Sequence, residues 1–315
     1  MTRLRSGSAT DIGLVRRVNQ DQVLEADTLF AVADGMGGHA GGEVASKTAV
    51  EALRSAFEQA PDPPSAGDLV GAVEAANEAV WDRAAADPDL RGMGTTLTAL
   101  ALVTEEGKEE LALAHVGDSR AYRFRQGRLD QLTADHSLVG EMVRRGQLSA
   151  AEAAGHPQRH VVTRAVGIDP MVEVDAWLVR PTAGDRILVC SDGLVDEVED
   201  AEIATVLGDV ADPGRAAREL VSLAREHGGK DNITVLVVDV VDAPAASAPG
   251  QGALDAGAPG EGAPGAGAVV TGAAPGEAAD PRAAAGAAPG SGTEPRSRGA
   301  QSPSSRGSST AVATR

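Results

Sequence analysis

The sequence predicts an α+β protein: one antiparallel, layered domain over residues 1–242, followed by a disordered tail over 243–315. Two observations carry this. Along the chain strands group with strands and helices with helices, without the regular alternation that builds a parallel sheet. The composition also changes abruptly at Ala243, because the last 73 residues hold 22 Ala, 14 Gly and nine of the 17 prolines and no aromatic residue. Such a segment has too little apolar surface to offset the entropy of ordering it.

The elements follow from local pattern. Short runs rich in apolar and β-branched residues predict strands at Asp27 to Ala33, Gly94 to Val103, Glu109 to Val116, Ser119 to Arg125, Val172 to Leu178, Asp185 to Ser191 and Ile233 to Val241. Apolar residues at helical spacing predict helices at Gly42 to Gln59, Ser65 to Ala86, Asp200 to Leu207 and Asp212 to His227. Asp212-Pro213 opens the last of these with a capping side chain and a proline in the first turn. Ser149-Ala-Ala-Glu152 reads as a capping box, which predicts a short extra helix.

Charge and cysteine usage narrow the function. The net charge is −18, from 46 acidic and 28 basic residues, and all of the excess lies before Ala243. A nucleic-acid binder needs a dense Lys/Arg face and is not expected. The single cysteine, Cys190, excludes a disulfide framework and a thiolate zinc site and reads as a buried strand residue. No apolar run is long enough to span a bilayer, and the first residues lack the apolar middle of a signal peptide. A cytoplasmic protein with no membrane anchor is expected.

Four aspartates stand beside apolar strands: Asp34 before Gly35, Asp118 before Ser119, Asp192 before Gly193, and Asp231-Asn232 leading into Ile233. Singly, each is an ordinary turn residue. Together on one sheet rim they would repel, and hard divalent cations resolve that conflict, since Mg²⁺ and Mn²⁺ prefer oxygen ligands. Gly35-x-Gly37-x-x-Ala40 also fits a loose dinucleotide fingerprint, but the βαβ unit it requires is missing and Asp34 would face a pyrophosphate. In the metal reading the glycines let backbone approach an ion.

Six segments in order, Gly13-Leu-Val-Arg16-Arg-Val-Asn-Gln-Asp21, Ala33-Asp34-Gly-Met-Gly-Gly-His39, Gly92-Met-Gly-Thr-Thr, Gly117-Asp118-Ser-Arg-Ala-Tyr, Cys190-Ser-Asp192-Gly-Leu-Val-Asp and Asp231-Asn-Ile-Thr-Val, resemble the bacterial PPM, or 2C-type, metal-dependent protein phosphatases. The resemblance covers about residues 6 to 241. It implies an αββα sandwich, with two antiparallel sheets face to face and helix pairs outside. It further implies that Asp34 bridges two ions, that the Gly35 carbonyl, Asp192 and Asp231 complete their ligands, and that Asp118 holds a third. Arg16 resembles the arginine that clamps substrate phosphate, His39 the histidine that protonates the leaving alkoxide, and Asp21 an acidic residue that holds metal-bound water. Gln20 stands where many relatives carry glutamate. Ser119 and Asn232 adjoin ligands and are read as shaping turns.

The activity implied is hydrolysis of phosphoserine and phosphothreonine on proteins by direct attack of a metal-bridging hydroxide, with Mn²⁺ or Mg²⁺ as cofactor. The partners implied are phosphorylated proteins, Ser/Thr kinases and their substrates, met by a monomer. The covalent routes lack their residues: Cys190 has Asp196 rather than Arg six positions on, and no strand ends in Asp-x-Asp. A non-catalytic phosphoprotein-binding module on the same fold is the alternative. Residues Thr133 to Gly167 resemble the family's variable flap, in which Arg144, Arg145, Arg159, His160 and Arg164 either guide an acidic phosphopeptide or are solvated.

Overall fold

A computed structural model describes residues 1–37 and 41–243. In chain order these form β1 (Arg3–Asp11), β2 (Asp21–Glu25), β3 (Leu29–Met36), α1 (Gly41–Glu58), α2 (Ala66–Ala86), β4 (Gly94–Thr95), β5 (Leu97–Glu105) and β6 (Lys108–Val116). There follow β7 (Arg120–Arg125), β8 (Arg128–Gln131), α3 (Leu138–Arg144), α4 (Ala150–Ala154), β9 (Asp175–Val179), β10 (Arg186–Cys190), α5 (Asp192–Val195), α6 (Asp200–Asp209), α7 (Pro213–His227) and β11 (Ile233–Asp242). The strands make a five-stranded sheet in the order β1-β11-β10-β7-β8 and a second in the order β2-β3-β5-β6-β9, with β4 pairing β3. The strand pairings are antiparallel.

Burial on both faces explains why the central strands are continuous apolar runs. In β11, Ile233, Val235 and Val237 pack under α6 and α7, while Leu236, Val238 and Val240 face the other sheet. In β3, Ala31 and Ala33 lie against the α1 and α2 side, and Phe30 and Val32 point between the sheets. The successive layers are therefore helix pair, sheet, sheet and helix pair, the αββα sandwich expected. Because side chains alternate faces along a strand, each central strand serves two cores at once.

Helix ends form where capping chemistry allows. Asp212 accepts from the Arg215 amide at 2.8 Å and Pro213 begins α7. Ser65 and Asp68 close a capping box on α2, and Ser149 and Glu152 close the expected one on α4.

Three strands escape the sequence pattern, each for a physical reason. β1 is a polar edge strand with only Gly7 buried, and it forms by backbone pairing along β11 from Arg3↔Asp242 to Asp11↔Ile233. β2 and β8 are also sheet edges with little apolar burial. The strand expected over Gly94 to Val103 is divided at Thr96, whose amide donates to the Asp34 carbonyl at 2.9 Å and whose hydroxyl accepts from the Asp34 amide at 2.9 Å. Asp34 itself lies inside β3, which continues to Met36, rather than at a strand end. Among the described residues no helix is long and apolar enough to cross a membrane. From residue 244 onward the expected tail lies outside the described residues.

The inter-sheet layer is a closed apolar core of its own. Truncating Leu236, fully buried there, to Ala should lower the free energy of unfolding by about 2–5 kcal/mol in urea titration. Truncating Met171, which is 86% exposed, should change it by less than about 0.5 kcal/mol.

Candidate metal centre

The site is built from the start of β2, the interior of β3, and the residues that follow β10 and precede β11. Asp21 opens β2 and pairs in register with Asp34 on β3. Asp192 begins α5 immediately after β10, and Asp231 immediately precedes β11. Asp21, Asp34 and Asp192 are buried. Gly35 is required at its position because a Cβ there would stand 2.1 Å from the Gly42 carbonyl oxygen. This contact brings the β3 backbone directly against the first turn of α1.

A hydrogen-bond chain holds the Asp21 carboxylate from behind. The Ser191 hydroxyl donates to Asp21 Oδ2 at 2.8 Å and accepts from the Thr234 amide at 2.9 Å, joining the two sheets. Asp21 Oδ1 is buried and has no hydrogen-bond partner. Burial pushes the Asp21 carboxyl up to about 7, opposed by the Ser191 and Thr234 bonds and reinforced by the nearby charges of Asp192 and Asp231. A buried carboxylate surrounded by others, with an oxygen left over, is what an oxygen-preferring divalent cation satisfies. The residues present therefore fit Mn²⁺ or Mg²⁺.

Arg16 lies on the loop between β1 and β2. Asn232 knits that loop together: its Nδ2 donates to the carbonyls of Ile12 and Val18 at 2.9 and 3.1 Å, and its Oδ1 accepts from the Gln20 amide at 2.9 Å. The knot delivers the Arg16 guanidinium to Asp231, with Nη2 to Oδ2 at 2.6 Å. Asn232 thus does more than shape the turn expected of it. His39 lies outside the described residues.

Asp118 stands in the turn between β6 and β7, and it shares a cavity of about 600 Å³ with Asp192, Asp196 and His160. Ligand-capable atoms of His160, Asp192 and Asp196 all lie within 4.8 Å of one another. The four-residue step from Asp192 to Asp196 was a readable sign that both carboxylates share a helix face. His160 had no such signal, since it arrives from a segment over thirty residues earlier. Arg159 and His160 pair with Asp196 at 3.9 and 3.5 Å. Arg145 pairs with Glu141 and Arg164 with Asp175. Of the flap cations, Arg144, Arg159 and His160 line the cavity. Cys190 is fully buried on β10, with burial pushing its thiol up to about 12, which suits a packing role.

A two-sheet sandwich that gathers carboxylates beside one arginine is an arrangement suited to divalent cations and an anion next to them. Residues 16–226 match the family model for protein phosphatase 2C. The chain is 43% identical over 239 residues to the serine/threonine protein phosphatase PstP of Mycobacterium tuberculosis, a match covering 76% of this chain and 45% of that protein. It is 37% identical to the serine/threonine phosphatase stp of Listeria welshimeri, covering 73% of this chain and 93% of the relative. Among solved structures, the catalytic domain of PstP in complex with two manganese ions superposes with a TM-score of 0.68 at 41% identity, covering 77% of this chain and all of that one. The PPM phosphatase MsPP of Mycobacterium smegmatis, in complex with cacodylate, gives 0.70 at 41%, over 76% of this chain and all of that one. The chain belongs to the protein phosphatase 2C family. It spans about half the length of the Mycobacterium tuberculosis relative.

Cation binding relieves carboxylate repulsion only in the folded state, so Mn²⁺ should raise the melting temperature, by an increment that grows with its concentration. In Asp192→Asn the increment should shrink in calorimetry; an undiminished rise would remove Asp192 from the ligand set.

Proposed function

We propose that residues 1–242 form the catalytic domain of a Mn²⁺- or Mg²⁺-dependent phosphatase that removes phosphate from serine and threonine of phosphorylated proteins. The reading extends to a cytoplasmic monomer that reverses Ser/Thr kinases. The observation that carries it is the buried carboxylate group around Asp21 with Arg16 reaching into it. Asp34, the Gly35 carbonyl, Asp192 and Asp231 would hold two ions, and Asp118 a third. Bound there, the ions supply an activated water and neutralise phosphate charge.

The chain's own residues do the rest. Arg16 reaches Asp231, so its planar fork of donors would hold a substrate phosphate next to the carboxylates assigned to the ions. Asp21, fixed by Ser191, has a remaining oxygen that would accept from and orient the attacking water. The Asn232 knot holds the Arg16 loop in place while substrate enters. His39 is assigned proton delivery to the leaving alkoxide, a role suited to an imidazole near neutral pH.

Hydrolysis of p-nitrophenyl phosphate and of a phosphothreonine peptide should vanish in EDTA and return with Mn²⁺. Asp192→Ala should lower kcat by at least about 100-fold, and unchanged turnover would refute the assignment. Arg16→Ala should lower kcat/KM on the phosphopeptide by about 10- to 100-fold, as expected for loss of a hydrogen bond to a charged group. Calorimetric Mn²⁺ affinity should stay at the parent value in that variant.

A further inference from the structure

Asp118 sits in a turn whose two flanks are gripped by a single dipeptide, Asp135-His136. On one side Arg120 gives Asp135 a forked set of bonds, Nε to both oxygens at 3.0 and 3.1 Å and Nη2 to Oδ2 at 2.7 Å. On the other side His136 and Gly117 bond reciprocally. The His136 amide donates to the Gly117 carbonyl at 2.7 Å, and the Gly117 amide donates to His136 Nδ1 at 3.0 Å. Gly117 has φ +114°, and a Cβ there would stand 2.5 Å from Thr96 Cγ2, so only glycine fits this position.

These contacts define the imidazole. A backbone amide can only donate, so Nδ1 is the acceptor and the ring proton resides on Nε2. Nε2 faces Asp175 Oδ2 at 3.2 Å, and Asp175 Oδ1 accepts from Arg164 Nη1 at 2.5 Å. Arg164 Nη1 also lies 3.1 Å from Nε2, which leaves the Asp175 carboxylate as the acceptor between two donors. Partial burial works against the Asp175 charge, but the bonds from His136 and Arg164 hold its carboxyl well below the usual range. Above the ring, His115 lies 4.8 Å away between centroids, kept neutral because burial pushes it down to about 3. The His136 carbonyl accepts from the Thr163 amide at 2.8 Å, so the same residue ties both ends of the intervening segment together.

We propose that His136 is a positioning residue for Asp118: Asp175 fixes its tautomer, its Nδ1 fixes the Gly117 amide, and the Gly117 backbone aims the Asp118 carboxylate into the cavity it shares with Asp192. This rests on reading Asp118 as a cation ligand. A ring that merely fills space would not need a defined acceptor at Nδ1. Hydrogen-bonded partners behind the first ligands orient them and tune metal affinity.

The test is Mn²⁺ titration calorimetry on the full chain and on Asp118→Asn, His136→Asn and His136→Gln. Asparagine places an acceptor oxygen where Nδ1 stands; glutamine reaches the Nε2 position and leaves the Gly117 amide without an acceptor. Asp118→Asn should remove a share of the Mn²⁺ binding. His136→Gln should weaken that share by about 10-fold or more, and His136→Asn should retain it, although both lose the same ring packing and melt at similarly lowered temperatures. Equal Mn²⁺ binding by the two His136 variants would overturn the positioning role. Parent-like binding by Asp118→Asn would instead overturn the ligand reading on which the role stands. A long-range ¹H–¹⁵N NMR spectrum of the parent provides a check that needs no variant. A proton on Nε2 supports the proposal, and one on Nδ1 overturns it.

Discussion

The structure depends on a repulsion that its own chemistry only partly relieves. Asp21 is buried at the junction of the two sheets, on β2 of one and hydrogen-bonded to Ser191, which follows β10 of the other. Burial and the charges of Asp192 and Asp231 both oppose its ionisation. A hydrogen bond to a neutral hydroxyl offsets part of that cost but cannot balance several converging carboxylates. The fold tolerates the arrangement because the surrounding backbone is over-determined: Thr96 fixes Asp34 from both sides, and Ser191 is itself held by the Thr234 amide. Carboxylates that oppose one another in this way are favoured by a divalent charge among them.

The sandwich explains how residues so far apart in sequence meet. Central strands buried on both faces cannot shift register without moving an apolar set out of a core, so their ends are fixed relative to one another. β11 shows this most plainly, with three residues in the helix-covered core and three in the inter-sheet layer. The carboxylates are attached to those fixed ends, through Asp192 after β10 and Asp231 before β11. Short aliphatic side chains, Ala31, Ala33, Ala45 and Ala49 among them, fill the layer beneath α1 and α2. Close approach of backbone there is what makes the Gly35 to Gly42 contact sterically exacting.

Much of this was legible in the sequence, and the rest was hidden for identifiable reasons. Strands buried on both faces announced themselves as apolar runs, and Asp212-Pro213 and Ser149 to Glu152 marked helix starts through local chemistry alone. β1 was hidden because an edge strand is held by backbone pairing, which leaves no hydrophobic pattern. The predicted ligands could be ranked by their position beside strands, and the cation preference followed from their oxygen chemistry. The meeting of His160 with Asp192 and Asp196, and the grip of Asp135-His136 on the Asp118 turn, are long-range contacts with no local periodicity. Asn232 was underestimated for the same reason, since its three bonds reach back more than two hundred residues.

The acidic balance of the domain takes on a different meaning beside this geometry. A charge of −18 spread over the surface should repel phosphorylated partners at long range. Screening confines that repulsion to roughly 10 Å at ordinary ionic strength, whereas the interactions at the centre act over a few ångströms in a partly buried setting. Arg16 shows how the two scales are reconciled. It is bonded to Asp231, so the guanidinium and the carboxylate mask each other. That pair is partly exposed and so weakens with added salt, whereas the buried carboxylate of Asp21 is shielded from it.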